Sequence, residues 1–425
     1  MAVGVMRKRM KILQINSHYN EGGAARIAAY IHRQLLADGQ ESYVAYGRGH
    51  CVDEPNVWKF GWIGGTYASA LFSRILGLNG WFNRLETAKL IRKIRKIRPD
   101  IVHLHAIHGY YLNWPMLFRY LNQERIPIVW TFHDCHAFVG NCGYYFDCMK
   151  WKNGCGKCPN LRGYPTSQFF DLTAWMWRRK RDMFTQGGRK VIVTPSDWLT
   201  AQAKQSFFAK YPCKTIHNGI DSEHIFYPRD RKSCRQKYGF SQSERLLLGI
   251  AVGYSDPRKG AVYMINLAKA LRGEAKVILI GWEKENNALL QGADNVITLP
   301  AVRDTEVLAE YYSMADLFVL TSLAENYATV NLEAMACGTP VVGFDCGGTP
   351  EQLTGGKGVA VPTGDQETLN RTVKACLSGE ISLLRGETLA EQVRKDNSLE
   401  QMAAAYREIY QELLLGSKQT GTDLN

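Results

Sequence analysis

The stretch LFVLTSLAENYATVNLEAMACGTPVVGFD, residues 317–345, sets one apolar run, LFVLTS (317–322), and a second, PVVGFD (340–345), on either side of a small-residue segment with helical spacing. Short apolar runs bounded by turn residues fit strands buried on both faces, and a helix between two of them fits a parallel crossover. Two acids, Glu325 and Glu333, stand eight apart in it with no other charge between them. Glu325 falls on the loop at the first strand's carboxyl end. The helix begins near Ala328, so its first amides, entered through Tyr327, Ala328 and Thr329, are unpaired and attract phosphate or sugar oxygens. Glu333 lies about one turn in. With no metal, such acids accept hydrogen bonds from the vicinal hydroxyls of a sugar or a ribose. A solvated loop acid followed by a helix-surface acid fits the same spacing.

The same alternation extends through the chain. KILQIN (11–16) is followed by SHYNEGG and a helical segment ending at Gly39; ESYVAYG, IVHLHA, IPIVWTFHD and KVIVTPS follow as strands. Beyond a polar, Gly- and Pro-marked stretch, HNGIDSEHIFYP (217–228), come RLLLGIAVG (245–253), AKVILIG (275–281) and VITLPAV (296–302). A helical segment near 365–378 and an amphipathic helix, SLEQMAAAYREIYQELLL (398–415), close the chain. The pattern predicts two doubly wound α/β domains facing a central cleft, with ligands at the strand carboxyl ends. The expected division is 1–220, carrying a Cys-rich insert at 135–160, then 221–397, then a helix and tail at 398–425.

At 425 residues, 45% hydrophobic and 22% charged, the composition is that of a globular protein with two or three cores. No apolar run reaches the ~18–20 residues of a membrane span, and MAVGVMRKRM does not read as a signal peptide, so a cytoplasmic protein starting at Met1 or Met10 is expected. Residues 1–221 hold 31 Lys and Arg against 14 Asp and Glu, whereas the remainder carries a small acidic excess. The cations cluster in LIRKIRKIRPD (90–100) and WRRKRD (177–182), interleaved with apolar residues. That suits the anionic inner face of a membrane, to which each Lys or Arg contributes ~1 kcal/mol; a solvated helix face fits equally well. No nucleic-acid module accompanies the charge, and nucleic acid is not an expected partner.

Two further turns carry chemistry. In GYSDPRKG (253–260), Gly253 opens a turn that ends at a helix start with Arg258 and Lys259 at its tip, where cations neutralise a diphosphate leaving group. In EGGA (21–24), Gly22 and Gly23 let backbone approach an anion, or simply make a tight turn. The dinucleotide fingerprint is absent.

E-x7-E, the G-x5-K-G turn, the GGA loop, VTPSDWL (193–199) and HNGID (217–221), in this order, resemble glycosyltransferase family four, nearest its colanic acid and exopolysaccharide branch. The resemblance covers Lys11 to about Leu415. It implies the GT-B fold, a C-terminal helix crossing back to the first domain, and a retaining, metal-independent hexosyl transfer from a nucleoside-diphosphate sugar to a glycan acceptor, lipid-linked in surface polysaccharide assembly. It implies no catalytic cofactor. Lys259 matches the lysine on the donor phosphates, Glu333 the acid on the ribose, Glu325 the acid on the donor sugar, and His133 of TFHD the histidine near the transferred sugar. Gly22 and Gly23 match the loop against the diphosphate. Tyr254 departs from the family, which usually has Arg there; Arg258 is expected to supply the charge. His105 or His108, from IVHLHAIHG, is expected at the acceptor pocket. Rival readings are a nucleotide-sugar epimerase of the same fold and a zinc-stabilised nucleic-acid-binding protein.

CGYYFDCMKWKNGCGKC (142–158) carries Cys142, Cys148, Cys155 and Cys158. One C-x2-C knuckle with two further thiolates can close a structural zinc site, ordinary reduced cysteines fit as well, and a redox disulfide ranks last.

Overall fold

The computed structural model describes residues 9–419; the expected start at Met1 and the tail past 419 lie outside the described residues. Residues up to Ile216, together with those from Met402 on, form one compact unit, and His217–Gln401 form the other.

Unit 1 is built on seven parallel strands: β1 (Lys11–Asn16), β2 (Glu41–Tyr46), β3 (Val57–Lys59), β4 (Ile101–Leu104), β5 (Ile128–Thr131), β6 (Lys190–Thr194) and β7 (Cys213–Thr215), in the order β3-β2-β1-β4-β5-β6-β7. Unit 2 has six: β8 (Leu246–Ile250), β9 (Lys276–Ile280), β10 (Val296–Leu299), β11 (Leu317–Leu320), β12 (Val341–Phe344) and β13 (Gly358–Val361), in the order β10-β9-β8-β11-β12-β13. Both sheets are doubly wound, with the strand order reversing between β1 and β4 and between β8 and β11. Each reversal leaves an opening at the strand carboxyl ends, because consecutive connections depart to opposite faces.

Why the strands read as unbroken apolar runs is visible in β8. Leu246 and Leu248 enter one core with Ile278 and Phe318, while Leu247 enters the other with Val277, Leu279 and Val319. Side chains alternate faces, and here both faces are covered. The short strands β3, β7 and β13 were not expected. The first two have three residues each, all half-buried at a sheet edge, too few to leave a periodic signal.

The closing helix, Leu399–Gln419, opens on Ser398, whose Oγ accepts from Gln401 N at 3.1 Å. From Met402 on it belongs to unit 1. Tyr410 OH meets His103 Nδ1 at 2.7 Å, Tyr406 OH meets Thr131 Oγ1 at 2.9 Å, and Arg407 pairs with Asp38. His103 thus anchors a helix to the sheet.

The two basic runs differ. In helix Arg84–Ile97, Leu90, Ile91 and Ile94 face inward while Arg92, Lys93, Arg95 and Lys96 are exposed. In helix Thr173–Phe184, Lys180 is buried and donates to His136 O (2.6 Å) and Val139 O (3.0 Å), so it is no surface cation. Among the described residues, no helix is long and apolar enough to cross a membrane.

Candidate functional site

Unit 2 gathers its charges at the β8/β11 reversal. The loop after β8 turns through a short 3-10 segment, Pro257–Lys259, capped by Asp256, whose Oδ1 accepts from Arg258 N at 2.9 Å. Gly260 then enters helix Ala261–Ala270 with φ +66°. A Cβ there would stand 2.0 Å from Thr321 O, so glycine is required both for the φ and for the approach. Thr321 Oγ1 lies 3.1 Å from the carbonyls of Lys259 and Gly260, and Leu323 N donates to Arg258 O at 2.7 Å. The phosphate-type turn is in this way fastened to the end of β11.

That fastening brings the cations to the first acid. Lys259 Nζ is 2.6 Å and Arg258 Nη1 3.2 Å from the same oxygen, Glu325 Oε1, and Arg258 also donates to Ala324 O at 2.9 Å. Burial pushes the Glu325 carboxyl up, but Lys259, Arg258 and the Ser322 hydroxyl outweigh it, so the group is held below the usual carboxylate range. On the far side of the loop, a Cβ at Gly347 (φ +58°) would fall 1.8 Å from Glu325 O, and Gly348 N donates to Asn326 O at 2.7 Å. The loop carrying Glu325 is therefore gripped from both sides.

Helix Thr329–Ala336 starts after Ala328 with no side-chain cap, and Gln352 Nε2 donates to Ala328 O at 2.9 Å. Glu333, in this helix, is buried and its Oε2 accepts from Tyr312 OH at 2.9 Å. Tyr327 is buried and stacked on His217 at 4.8 Å, with its OH taking Asn397 Nδ2 at 3.1 Å. The structure therefore joins Arg258, Lys259 and Glu325 directly. Gly253 lies earlier in the same turn, where a Cβ would stand 2.9 Å from Glu283 Oε1. Glu283 Oε2 in turn accepts from Ser255 N at 2.7 Å. Sequence spacing gave no sign of that acid. Tyr254 is buried against Trp282 at 5.6 Å, and burial pushes its phenol up. It is a core residue, and the cation beside Lys259 is Arg258.

Unit 1 places its candidates at its own reversal. Gly22, at φ +83°, is the uncapped entry to helix Gly23–Ala37 after β1. His105 follows β4 and His133 follows β5. Gln14 Nε2 donates to Ala28 O at 3.1 Å, which turns its Oε1 to His105 Nε2 at 2.9 Å. His105 Nε2 is then the donor and its Nδ1 the acceptor, so His133 Nε2 donates to it across 3.1 Å. Burial lowers His133 to about 4, against the opposing pull of Asp134. Both imidazoles are neutral at pH 7, and the relay leaves His133 Nδ1 as the acceptor nitrogen. His108 Nε2 pairs with Asp134 at 2.7 Å, and these residues share a small pocket with His136.

Comparison with known proteins follows the same division. Residues 21–224 match Glycosyltransferase Family 4 and residues 230–396 match Glycosyl transferases group 1. The chain is 27% identical over 424 residues to WcaC of Escherichia coli (strain K12), a glycosyl transferase named for colanic acid biosynthesis, covering 95% of this chain and 100% of that one. Among solved structures it is similar to sucrose-phosphate synthase from Thermosynechococcus elongatus (TM-score 0.71, 18% identity, 96% of this chain and 100% of that one). It is also similar to HepE from Anabaena in complex with UDP-glucose (TM-score 0.66, 17% identity, 95% and 100%).

The lowered Glu325 carboxyl makes a prediction for acid. Its contribution to stability is complete above the ordinary carboxylate value of 4.5 and is lost as pH falls through the folded value below it. Glu325→Gln should be less stable by about 3 kcal/mol at pH 7, because two cations lose their partner, and should show a shallower loss below pH 4.5 than wild type. Urea unfolding at both pH values reads this out.

Proposed function

This chain belongs to glycosyltransferase family four and is an enzyme of the GT-B fold, and we propose that unit 2 binds a nucleoside-diphosphate sugar through Lys259 and Arg258, for retaining transfer to a glycan acceptor in surface polysaccharide assembly. One observation carries the reading: the two cations of the turn after β8 converge on Glu325 at the end of the neighbouring strand β11. An ammonium has three donors and Glu325 Oε1 takes one, so Lys259 has donors for phosphate oxygens while Glu325 keeps a second oxygen for sugar hydroxyls. Negative charge developing on the leaving diphosphate is met by preorganised cations in a half-buried setting, where they act strongly.

Glu325 is already committed to two cations, which suits binding and charge balance better than nucleophilic attack. The departing phosphate itself takes the proton of the incoming hydroxyl, and the protein supplies position and charge. We assign Glu333 and the helix start at Tyr327, Ala328 and Thr329 to the nucleotide. To unit 1 we assign the acceptor side, with Gly22, Gly23 and neutral His133 as its polar groups. WcaC is the relative that supports an exopolysaccharide product.

A second reading concerns the acceptor's setting. Helix Ile63–Leu76 is inverted: it buries Ser69 and Ser73 and leaves Tyr67 (71% exposed), Leu71 (57%) and Phe72 to solvent, with Trp62 (64%) just before it. Gln168 N donates to Arg74 O at 2.7 Å, which continues the patch into exposed Phe169 and Phe170. At its other end, Gly65 lies against Asn83 and Glu86 at the start of the basic helix Arg84–Ile97. Exposed aromatics beside a helix whose outer face carries Arg92, Lys93, Arg95 and Lys96 fit an anionic lipid surface and a lipid-linked acceptor.

Two outcomes test these readings. A panel of nucleotide sugars should include one that raises the melting temperature, since a ligand at 100 times its Kd adds ~2.7 kcal/mol. With that donor, Lys259→Ala should lose at least tenfold in transfer, or ~1.4 kcal/mol. Donor turnover that needs no acceptor would point to the epimerase instead. For the surface, wild type should sediment with phosphatidylglycerol-containing vesicles at low salt, and Tyr67→Asp with Leu71→Asp should bind at least tenfold more weakly. Wild type left in the supernatant would remove the membrane reading.

A further inference from the structure

Between β5 and helix Thr173–Phe184, residues 132–172 contain a single 3-10 turn, Lys150–Lys152. Irregular segments longer than ~12–15 residues need something other than secondary structure to hold them. Aromatic packing supplies part of it, with Trp151 at 5.0 Å from Phe138 and 5.3 Å from Tyr145. The rest of this segment's interior is a small cavity, about 20 Å³, lined by Cys142, Cys148, Cys155 and Cys158 beside Tyr145 and Trp151. That is little more than the space one water needs, and its walls offer sulfur.

We propose that these four cysteines form a structural zinc site that staples the insert. All four are free of disulfides, and four thiolates are the donor set of a closed tetrahedral zinc. The backbone is shaped for it. Gly154 (φ +128°), Gly156 (φ +141°) and Lys157 (φ +45°) all lie in the left-handed half of backbone space, folding C-x-x-C into a tight turn. Gly140 N donates to Cys155 Sγ at 3.2 Å, a bond that favours a thiolate. Lys150 Nζ clamps the turn through Gly156 O (3.2 Å) and Lys157 O (2.6 Å). Buried Lys180 stands within electrostatic range of Cys142 and Cys155. A tetrathiolate zinc carries two net negative charges, and these two lysines balance them. Binding releases the four thiol protons to solvent. No three of the sulfurs lie within 4.8 Å of one another. A Zn–S length of ~2.3 Å requires sulfurs about 3.8 Å apart, so the ion would draw the loop inward.

The test is elemental analysis of the full-length chain after zinc-replete expression, and it does not depend on any donor or acceptor. About one zinc per chain is expected, kept by Cys51→Ser and lost from Cys155→Ser with Cys158→Ser. Releasing it with a mercurial and a chelator should lower the melting temperature by several degrees. Wild type with under about half an equivalent of zinc, or the double variant retaining it, overturns the proposal. Should the double variant fail to fold, the wild-type zinc content and the protection of four thiols from alkylation until a chelator has stripped the zinc decide the matter.

Discussion

The approach of Gly260 to the Thr321 carbonyl fixes everything that unit 2 can do with charge. A side chain at 260 would push the turn after β8 away from the end of β11. Lys259 and Glu325, 66 residues apart in sequence, would then no longer share a hydrogen bond. The topology makes the meeting possible, because β8 and β11 are neighbours at the point where strand order reverses. The carbonyl and hydroxyl bonds around Thr321 make it specific. Buried charge costs free energy unless paired, and here one carboxylate oxygen holds two cations.

The two units use the same topology for opposite electrostatics. At the β1/β4 reversal Gln14, His105 and His133 form a neutral chain, in which each proton position follows from the last acceptor, beside the His108–Asp134 pair. Burial keeps both imidazoles uncharged, so unit 1 offers oriented hydrogen bonds while unit 2 offers net charge balance. That contrast suits a reaction in which a diphosphate departs and a hydroxyl arrives.

Much of this was legible in the residues. The apolar runs located ten of the thirteen strands among the described residues, because β-strands covered on both faces need unbroken apolar sequence. The edge strands β3 and β7 were lost because three half-buried residues have no period. Lys259 and Glu325 stood out as a motif, but their contact did not, since pairing across a sheet is set by strand order. Tyr254 looked like a missing cation and proved to be core. Lys180 looked like one more surface charge in a basic run and is buried under the cysteine insert. The inverted helix Ile63–Leu76 was hidden for a related reason: a hydrophobic stripe in sequence does not say which side of it meets solvent.

The claim on which the rest stands is that Lys259 and Arg258 receive a diphosphate. Calorimetric titration with UDP, GDP, ADP and the corresponding nucleosides measures it without an acceptor. At least one nucleoside diphosphate should bind wild type, and Lys259→Ala should weaken that binding at least tenfold, ~1.4 kcal/mol, while leaving any nucleoside affinity unchanged. A Lys259→Ala chain that binds the same diphosphate as tightly as wild type would contradict the account.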